Sequence, residues 1–341
     1  MNLSVGIVGL PNVGKSTLFN ALLKRQAALA ANYPFATIEP NIGIVPVPDE
    51  RLTRLAEITK VEHAMNSLPP IKPATVEFVD IAGLVRGASE GAGLGNKFLS
   101  HIREVKIIAH VVRVFEDKDV VRYEDNVDPR LSSTSDSPLR SEASESRRAK
   151  SDYEIVRTEL GLADLDSKGE PLAEKPEIIV LNVAESQYNT DSIKKLTSEY
   201  SHLLQKDKDK IIVISAKIEE ELAALSEEEQ KQYLSDLGLD ASGLERLIQM
   251  AHQELGLISF LTAGVKEVRA WTVQKGTNAQ DAAGEIHTDF IRNFIKAEAI
   301  SYNDFIECGG WKGSREKGKA RLEGRDYIVQ DGDAIEFKIG R

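Results

Sequence analysis

The residues Gly9-Leu10-Pro11-Asn12-Val13-Gly14-Lys15-Ser16-Thr17 satisfy the pattern G-x-x-x-x-G-K-[ST], directly after the apolar run SVGIV and directly before the helix-forming stretch STLFNALLKR. A polyphosphate needs many donors at short range. Glycines let backbone N–H groups curl around its oxygens, and the N-terminus of the following helix adds partial positive charge. Lys15 would neutralise the β and γ phosphates, and the Ser16 hydroxyl would bind Mg²⁺. A βα turn without a ligand is the bland alternative; the strand before the motif and the helix after it favour the cradle.

Three further groups fit that chemistry. Asp80-Ile81-Ala82-Gly83 follows the apolar run TVEFV, so Asp80 would stand at the carboxyl edge of a sheet, facing the phosphates. Asp80 would hold Mg²⁺ through water, and the Gly83 N–H would sense the γ phosphate. Lys15, Asp80 and Gly83 are therefore the expected catalytic groups. Thr37, in the loop-like Tyr33 to Asn41 stretch, could complete the Mg²⁺ shell only when a γ phosphate orders that loop, which is how a switch is built. Base recognition is expected where later strands end, at Asn182-Val183-Ala184-Glu185 and at Ser215-Ala216-Lys217. Guanine readers use Asn-Lys-x-Asp, whose carboxylate accepts from guanine N1 and N2. Here the carboxylate belongs to a longer Glu and the lysine is replaced by Val183, so adenine read by the Asn182 side chain and backbone near Val183 stands as the alternative.

The elements that must position these groups are legible as apolar runs. Candidate strands are Ser4 to Val8, Thr75 to Val79, Ile107 to Val114, Glu177 to Val183 and Ile211 to Ser215, alternating with helix-like stretches as in a parallel sheet covered by helices. Between them, residues 131–150 are rich in Ser and charge, which predicts a mobile loop. A short helix over Tyr153 to Leu165 and a Gly/Pro-punctuated connector follow. From about Ile258 the pattern changes. Strand-like VRAWTV precedes a helical AQDAAGEIHTDFIRNFI, and YIVQDGDAIEFKI carries Asp331-Gly332 between two runs, a hairpin signal. The predicted class is α/β, with a small mixed β/α domain closing the chain.

Composition bounds the partners. A chain of 341 residues with 41% hydrophobic content can bury a sizeable core, and its net charge of −11 excludes a protein that holds nucleic acid over its whole surface. One cysteine, Cys308, cannot form an internal disulfide, which fits a reducing compartment. No apolar run approaches the ~20 residues of a membrane span, and the N-terminus reads as a first strand and not a signal peptide. A cytoplasmic location is expected. Trp311 with Lys312, Arg315, Lys317, Lys319, Arg321 and Arg325 forms the one notable basic run, readable as a solvated loop or an RNA surface. The histidines lack metal-ligand spacing, and His110 reads as a core or edge group.

Taken together, GLPNVGKST, PFATIEPN, DIAGLVRGASEGAGLGNKFL, NVAE, TAGVKEVRAWT, AGEIHTDF and YIVQDGDAIEF resemble the Obg-like ATPase (YchF) family over about residues 1–130 and 176–341. The resemblance implies a P-loop NTPase with a mostly parallel sheet, an OBG-type G domain over 1–257 with an inserted segment at 118–175, and a β-grasp TGS domain over 258–341. It also implies ATP hydrolysis with GTP used less well, Mg²⁺ dependence and ribosome association. Nucleotide contacts carry over to Asn12, Val13, Gly14, Lys15, Ser16, Thr17 and Val183, joined by Asn182, Glu185, Ser215 and Ala216. Mg²⁺ ligands carry over to Ser16 and Thr37. Asn12 matches the asparagine that seats K⁺ in potassium-stimulated relatives. The expected partners are ATP, the ribosome and RNA through the C-terminal domain, with no membrane and the chain a monomer.

Departures from the family bear on catalysis. Leu84 occupies the place of a water-orienting glutamine, an apolar replacement the family shares. Arg122 stands about where members carry a histidine implicated in hydrolysis. The long helical arm that follows the stretch matching ELGLADLD is shortened to SKGEPLAEK. A nucleotide-gated ribosome or RNA binding module with negligible hydrolysis, and a guanine-specific GTPase, are the competing readings.

Overall fold

A computed structural model describes residues 3–32, 41–81, 94–116, 138–165 and 170–340. In chain order the first elements are β1 (Ser4–Val8), α1 (Lys15–Asn32), β2 (Ile42–Pro46), α2 (Glu50–Glu62), β3 (Ile71–Lys72), β4 (Thr75–Asp80), α3 (Leu94–Glu104), β5 (Ile107–Val114), α4 (Pro138–Leu165), β6 (Glu177–Val183), α5 (Thr190–Leu204) and β7 (Ile211–Ile214). These are followed by α6 (Ala216–Leu222), α7 (Glu227–Asp236), α8 (Gly243–Glu254), β8 (Leu257–Ala263), β9 (Val268–Gln274), α9 (Ala279–Ile286), α10 (Thr288–Arg292), β10 (Phe294–Ile300), α11 (Tyr302–Cys308), α12 (Trp311–Glu316), β11 (Arg321–Glu323) and β12 (Ala334–Ile339). No described helix is long and apolar enough to cross a membrane.

The first sheet has the order β2-β4-β1-β5-β6-β7, and β4, β1, β5, β6 and β7 run parallel. Every residue of β1, β5, β6 and β7 is buried, as strands covered by helices on both faces must be, which is why their sequences read as mostly apolar runs, broken in β5 by His110 and Arg113 and in β6 by Glu177 and Asn182. The predicted α/β class and mostly parallel sheet are as expected. Because β1 is followed in space by β4 on one side and β5 on the other, the strand order reverses at β1. A crevice opens there at the carboxyl edge.

The predicted mobile loop at 131–150 needs correction over its second half, since α4 begins at Pro138; residues 131–137 lie outside the described residues. The helix expected over Tyr153 to Leu165 is present and extends upstream: Ala149 is buried and continues the helical stripe of Tyr153, Val156 and Leu160. Tyr153 Oη donates to Glu177 Oε2 on β6 (3.0 Å), and the Tyr153 ring stacks on His110 of β5 with centroids 5.0 Å apart. His110 is a core residue whose Nδ1 lies 2.9 Å from Glu177 Oε1. At the far end of α4 the Asp164 carboxylate accepts from the Leu172 and Ala173 N–H groups and seats the connector.

The chain divides into two compact units, residues 1–45 with 76–251, and residues 46–75 with 252–341. The expected single cut at 257/258 is thereby modified: β3 pairs with β9, and Glu62 of α2 accepts from the Trp311 and Lys312 N–H groups, which brings 46–75 into the second unit. That unit is built on a mixed sheet, β11-β10-β12-β8-β9-β3, with β8 and β9 antiparallel, β10 and β12 antiparallel, and β12 beside β8 in parallel. Ala279, Ala282 and Ala283 of α9 share one core cluster with Phe260, Phe294, Ala297 and Ile335 of the sheet.

Two local expectations change here. Asp331-Gly332 does not link a two-stranded hairpin, because Tyr327 to Gln330 forms only an isolated bridge at Ile328, and β12 pairs with β10 and β8. The turn is set instead by side chains: Asp331 accepts from the Ser259 N–H (2.9 Å) and from Arg51 Nη1 (2.7 Å), and Asp333 accepts from the Gln330 N–H and Tyr327 Oη. The predicted helix over AQDAAGEIHTDFIRNFI breaks at His287, an N-cap in extended conformation, and Phe294 already belongs to β10.

Candidate nucleotide-binding site

The turn from β1 into α1 is shaped by three residues. A Cβ on Gly9 would lie 2.5 Å from the Val111 carbonyl oxygen, so only glycine passes β5 at that height. Asn12 is left-handed at φ 62°, a conformation Asn tolerates. Gly14, at φ 98°, is also left-handed, and a Cβ there would lie 2.2 Å from Asn182 Nδ2. The backbone thus folds tightly before α1 starts at Lys15.

Lys15 is 8% exposed and its ammonium donates to the Leu10 carbonyl at 2.7 Å, folding back over the turn. Burial pushes its pKa down to about 8, and the nearby Asp80 only partly restores the charged form. Asp80 ends β4 in register with Ile7, and burial raises its carboxyl above the ordinary range while Lys15 pulls it down. Each group is desolvated and each is incompletely compensated by the other. A buried cation short of negative charge is what a phosphate site requires.

A cavity of about 450 Å³ opens beside this pair. Asn12, Gly14, Lys15, Ser16 and Thr17 line it from the β1–α1 turn, and Asn182, Val183, Glu185, Ser215 and Ala216 line it from the ends of β6 and β7. Its size is within the range of small-ligand sites. Val13 does not line it: the side chain is 2% exposed, and its carbonyl is held by Asn182. Asp80 does not line it. Thr37, Gly83, Leu84 and Arg122 lie outside the described residues. Phe115, Glu116, Ala184 and Lys217 also line the cavity. Phe115 and Glu116 went unread in the sequence, although they follow the predicted strand Ile107 to Val114 as Asp80 ends its own.

Asn182 holds the turns together. Its Nδ2 donates to the Val13 carbonyl at 2.9 Å, and its Oδ1 accepts from the Ala216 N–H at 3.0 Å. The expected base-reading carboxamide is therefore first a strut, with one amide hydrogen and one lone pair left over. Glu185 is ion-paired with Lys217 on the cavity rim, so its carboxylate is not a bare acceptor for a guanine edge. Ser16 and Asp80 supply hard oxygen donors, the set that suits Mg²⁺.

The basic run in the second unit is largely spent internally. Trp311 is 7% exposed, with Nε1 donating to the Ala263 carbonyl, so the expected stacking aromatic is core. Arg315 forks onto Glu298 and reaches Glu336, Lys319 pairs with Asp304, and Arg321 pairs with Glu323.

A parallel sheet whose first βα turn wraps a buried lysine, facing a carboxylate on the neighbouring strand, defines a P-loop NTPase. Residues 4–139 match the MMR_HSR1 family, described as 50S ribosome-binding GTPase, and residues 257–340 match the YchF-GTPase C-terminal family, described as a protein of unknown function. The chain is 44% identical over 392 aligned positions to the ribosome-binding ATPase YchF of Haemophilus influenzae, covering 99% of both chains. It is 41% identical over 376 positions to the protein of the same name from Bacillus subtilis, covering 99% of this chain and 100% of the relative. The solved structure of the Schizosaccharomyces pombe YchF GTPase superposes with a TM-score of 0.73 at 33% identity, covering 99% of this chain and 98% of that one. The chain belongs to the YchF family. The 392 aligned positions exceed this chain's 341 residues, so the Haemophilus relative has stretches without counterpart here.

Proposed function

We propose that this protein is a Mg²⁺-dependent ATPase of the cytoplasm that cycles between nucleotide states on the ribosome. The observation that carries the reading is the incompletely neutralised Lys15 beside the cavity, with Ser16 at the same helix start and Asp80 on the next strand. A triphosphate supplies the missing negative charge. Ser16, Asp80 and Thr37 would hold Mg²⁺, which would supply charge neutralisation to the triphosphate. Lys15 and Gly83 orient the γ phosphate, and Asn12, on the cavity wall, is the candidate K⁺ ligand.

Adenine is favoured over guanine by the ion pair that occupies Glu185 and by the absence of a lysine at Val183. The base would be met by Val183, by the remaining hydrogen-bonding capacity of Asn182, and by backbone at Ser215 and Ala216. The bacterial relatives are named ATPases and the fission yeast structure a GTPase, so the guanine reading has an observation behind it. Titration with ATP and GTP in one assay separates them: ATP binds more tightly here, and a tenfold preference for GTP (~1.4 kcal/mol) overturns the assignment.

Ribosome association rests on the names of the bacterial relatives. Residues 258–341, joined by 46–75, are taken as the TGS domain, and an RNA contact there would fall to the exposed Lys312, Lys317 and Arg325. The protein is taken to act as a monomer. Co-sedimentation with ribosomes in the presence of ATP, ADP or no nucleotide tests the association, and pelleting that ignores the nucleotide removes the switch.

A further inference from the structure

Glu219 is a carboxyl deep in the first unit, 1% exposed, on the short helix α6. Burying such a group is costly unless its oxygens are satisfied. Its Oε1 accepts from Tyr188 Oη at 2.9 Å and from the Gly243 N–H at 2.7 Å. Tyr188 is fully buried, and its hydroxyl also accepts from the same Gly243 N–H at 2.7 Å. Glycine at 243 is required for this convergence: a Cβ there would lie 2.6 Å from Tyr188 Oη and 2.7 Å from Ile214 Cγ1.

The three partners come from different elements. Tyr188 caps the short turn Glu185–Gln187, whose first residue lines the cavity. Glu219 lies one helical turn beyond Ser215, and α6 carries Ala216 and Lys217 into the cavity wall. Gly243 opens α8, where Ser242 and Glu245 receive Arg25 of α1 at 3.1 and 3.2 Å. Thus one carboxyl oxygen sets the separation between the two turns, after β6 and after β7, that wall the cavity away from the β1–α1 turn. It does so without reaching the cavity itself.

We propose that Glu219 is a positioning residue for the base of the bound nucleotide, acting through Tyr188 on the 184–187 turn and through α6 on the 215–217 turn. This rests on the nucleotide reading above. The phosphate cradle has supports of its own, its glycines and Asn182. Affinity for base and ribose should therefore separate from affinity for the polyphosphate.

A second observation concerns the other carboxyl oxygen. Glu219 Oε2 and Ser215 Oγ, one turn apart, are both buried without a hydrogen bond among the described residues. Burial raises the Glu219 carboxyl above its ordinary range against the pull of Tyr188 and Arg25. A glutamine, which keeps an acceptor for Tyr188 and Gly243 and offers an N–H on the other side, is the closest neutral mimic.

Titration of the full chain with Mg·ATP, Mg·ADP and Mg·tripolyphosphate, the last lacking base and ribose, tests the assignment. Glu219→Ala and Tyr188→Phe should each weaken ATP and ADP about tenfold, as expected for loss of one buried hydrogen-bonded partner. Tripolyphosphate affinity should hold, and Glu219→Gln should restore ATP binding. Tyr188→Phe keeps the packing, so it carries the test if Glu219→Ala does not fold. Unchanged ATP affinity in the folded variants, or an equal loss for tripolyphosphate, overturns the role of Glu219 alone. A wild-type chain that takes up tripolyphosphate and not ATP, or neither, overturns the nucleotide reading and this role with it.

Discussion

Asn182 and Val13 are 169 positions apart in sequence and 2.9 Å apart in space, amide nitrogen to carbonyl oxygen, and the other end of the same carboxamide holds the Ala216 N–H. One side chain therefore sets the height of the phosphate turn against the end of β7. Replacing it with alanine leaves a buried carbonyl and a buried N–H without partners, each worth about 1–3 kcal/mol. Asn182→Ala should weaken ATP binding at least tenfold and lower the unfolding midpoint, measured by calorimetric titration and thermal denaturation.

Gly14 packs against that strut. A methyl at this position would enter the Asn182 amide at 2.2 Å in a backbone conformation costing roughly 1–3 kcal/mol for other residues. Gly14→Ala should fold, because the turn lies at the surface end of β1, yet bind ATP more than tenfold more weakly. Wild-type affinity in this variant would show that the turn can open without loss of the site.

Lys15 gives a pH signature. It must be protonated to pair with phosphate, and with its pKa at about 8 it is charged in the free protein below that pH and neutral above it. A bound phosphate raises the pKa, so binding above pH ~8 takes up a proton, and log Kd for ATP should be flat below this point and rise toward a slope of about one above it. Lys15→Met should lose both the affinity and the slope. Phosphate release should fall with them.

Glu177 ties acid stability to its partners, His110 on β5 first and Arg157 on α4 after it. Burial by itself would raise its carboxyl, but the hydrogen bond and charge of His110, then Arg157 and Lys206, outweigh burial and hold it at about 2 against an ordinary 4.5. The ionised form contributes stability that is complete above pH 4.5 and is lost as pH falls toward 2. Glu177→Gln should cost roughly 3 kcal/mol at neutral pH and flatten the acid limb, read from denaturant melts between pH 2 and 7. An unchanged acid limb would place the titration elsewhere.

The central strands and the phosphate turn were readable in advance for one physical reason. A strand buried on both faces is apolar over most of its length, and a turn suited to wrap an anion is glycine-bounded and leads into a helix. Residues 138–150 were misread because their apolar stripe is thin: Ala149 is buried there, and it has no bulk to register in a count. The Asp331-Gly332 turn was misread because its partners, Ser259 and Arg51, are 72 and 280 residues away.

The sequence alone determined the chemistry on offer, since Gly9, Gly14, Lys15, Ser16 and Asp80 carry their donors, charges and backbone freedom wherever they are placed. Only the tertiary structure decided how that chemistry is held. The lowering of the Lys15 pKa, the strut at Asn182, the Glu185–Lys217 pair and the convergence on Glu219 each depend on burial and on contacts between residues far apart in the chain. Burial is a property of the packed molecule. No local pattern of residues encodes which polar group will find its partner inside it.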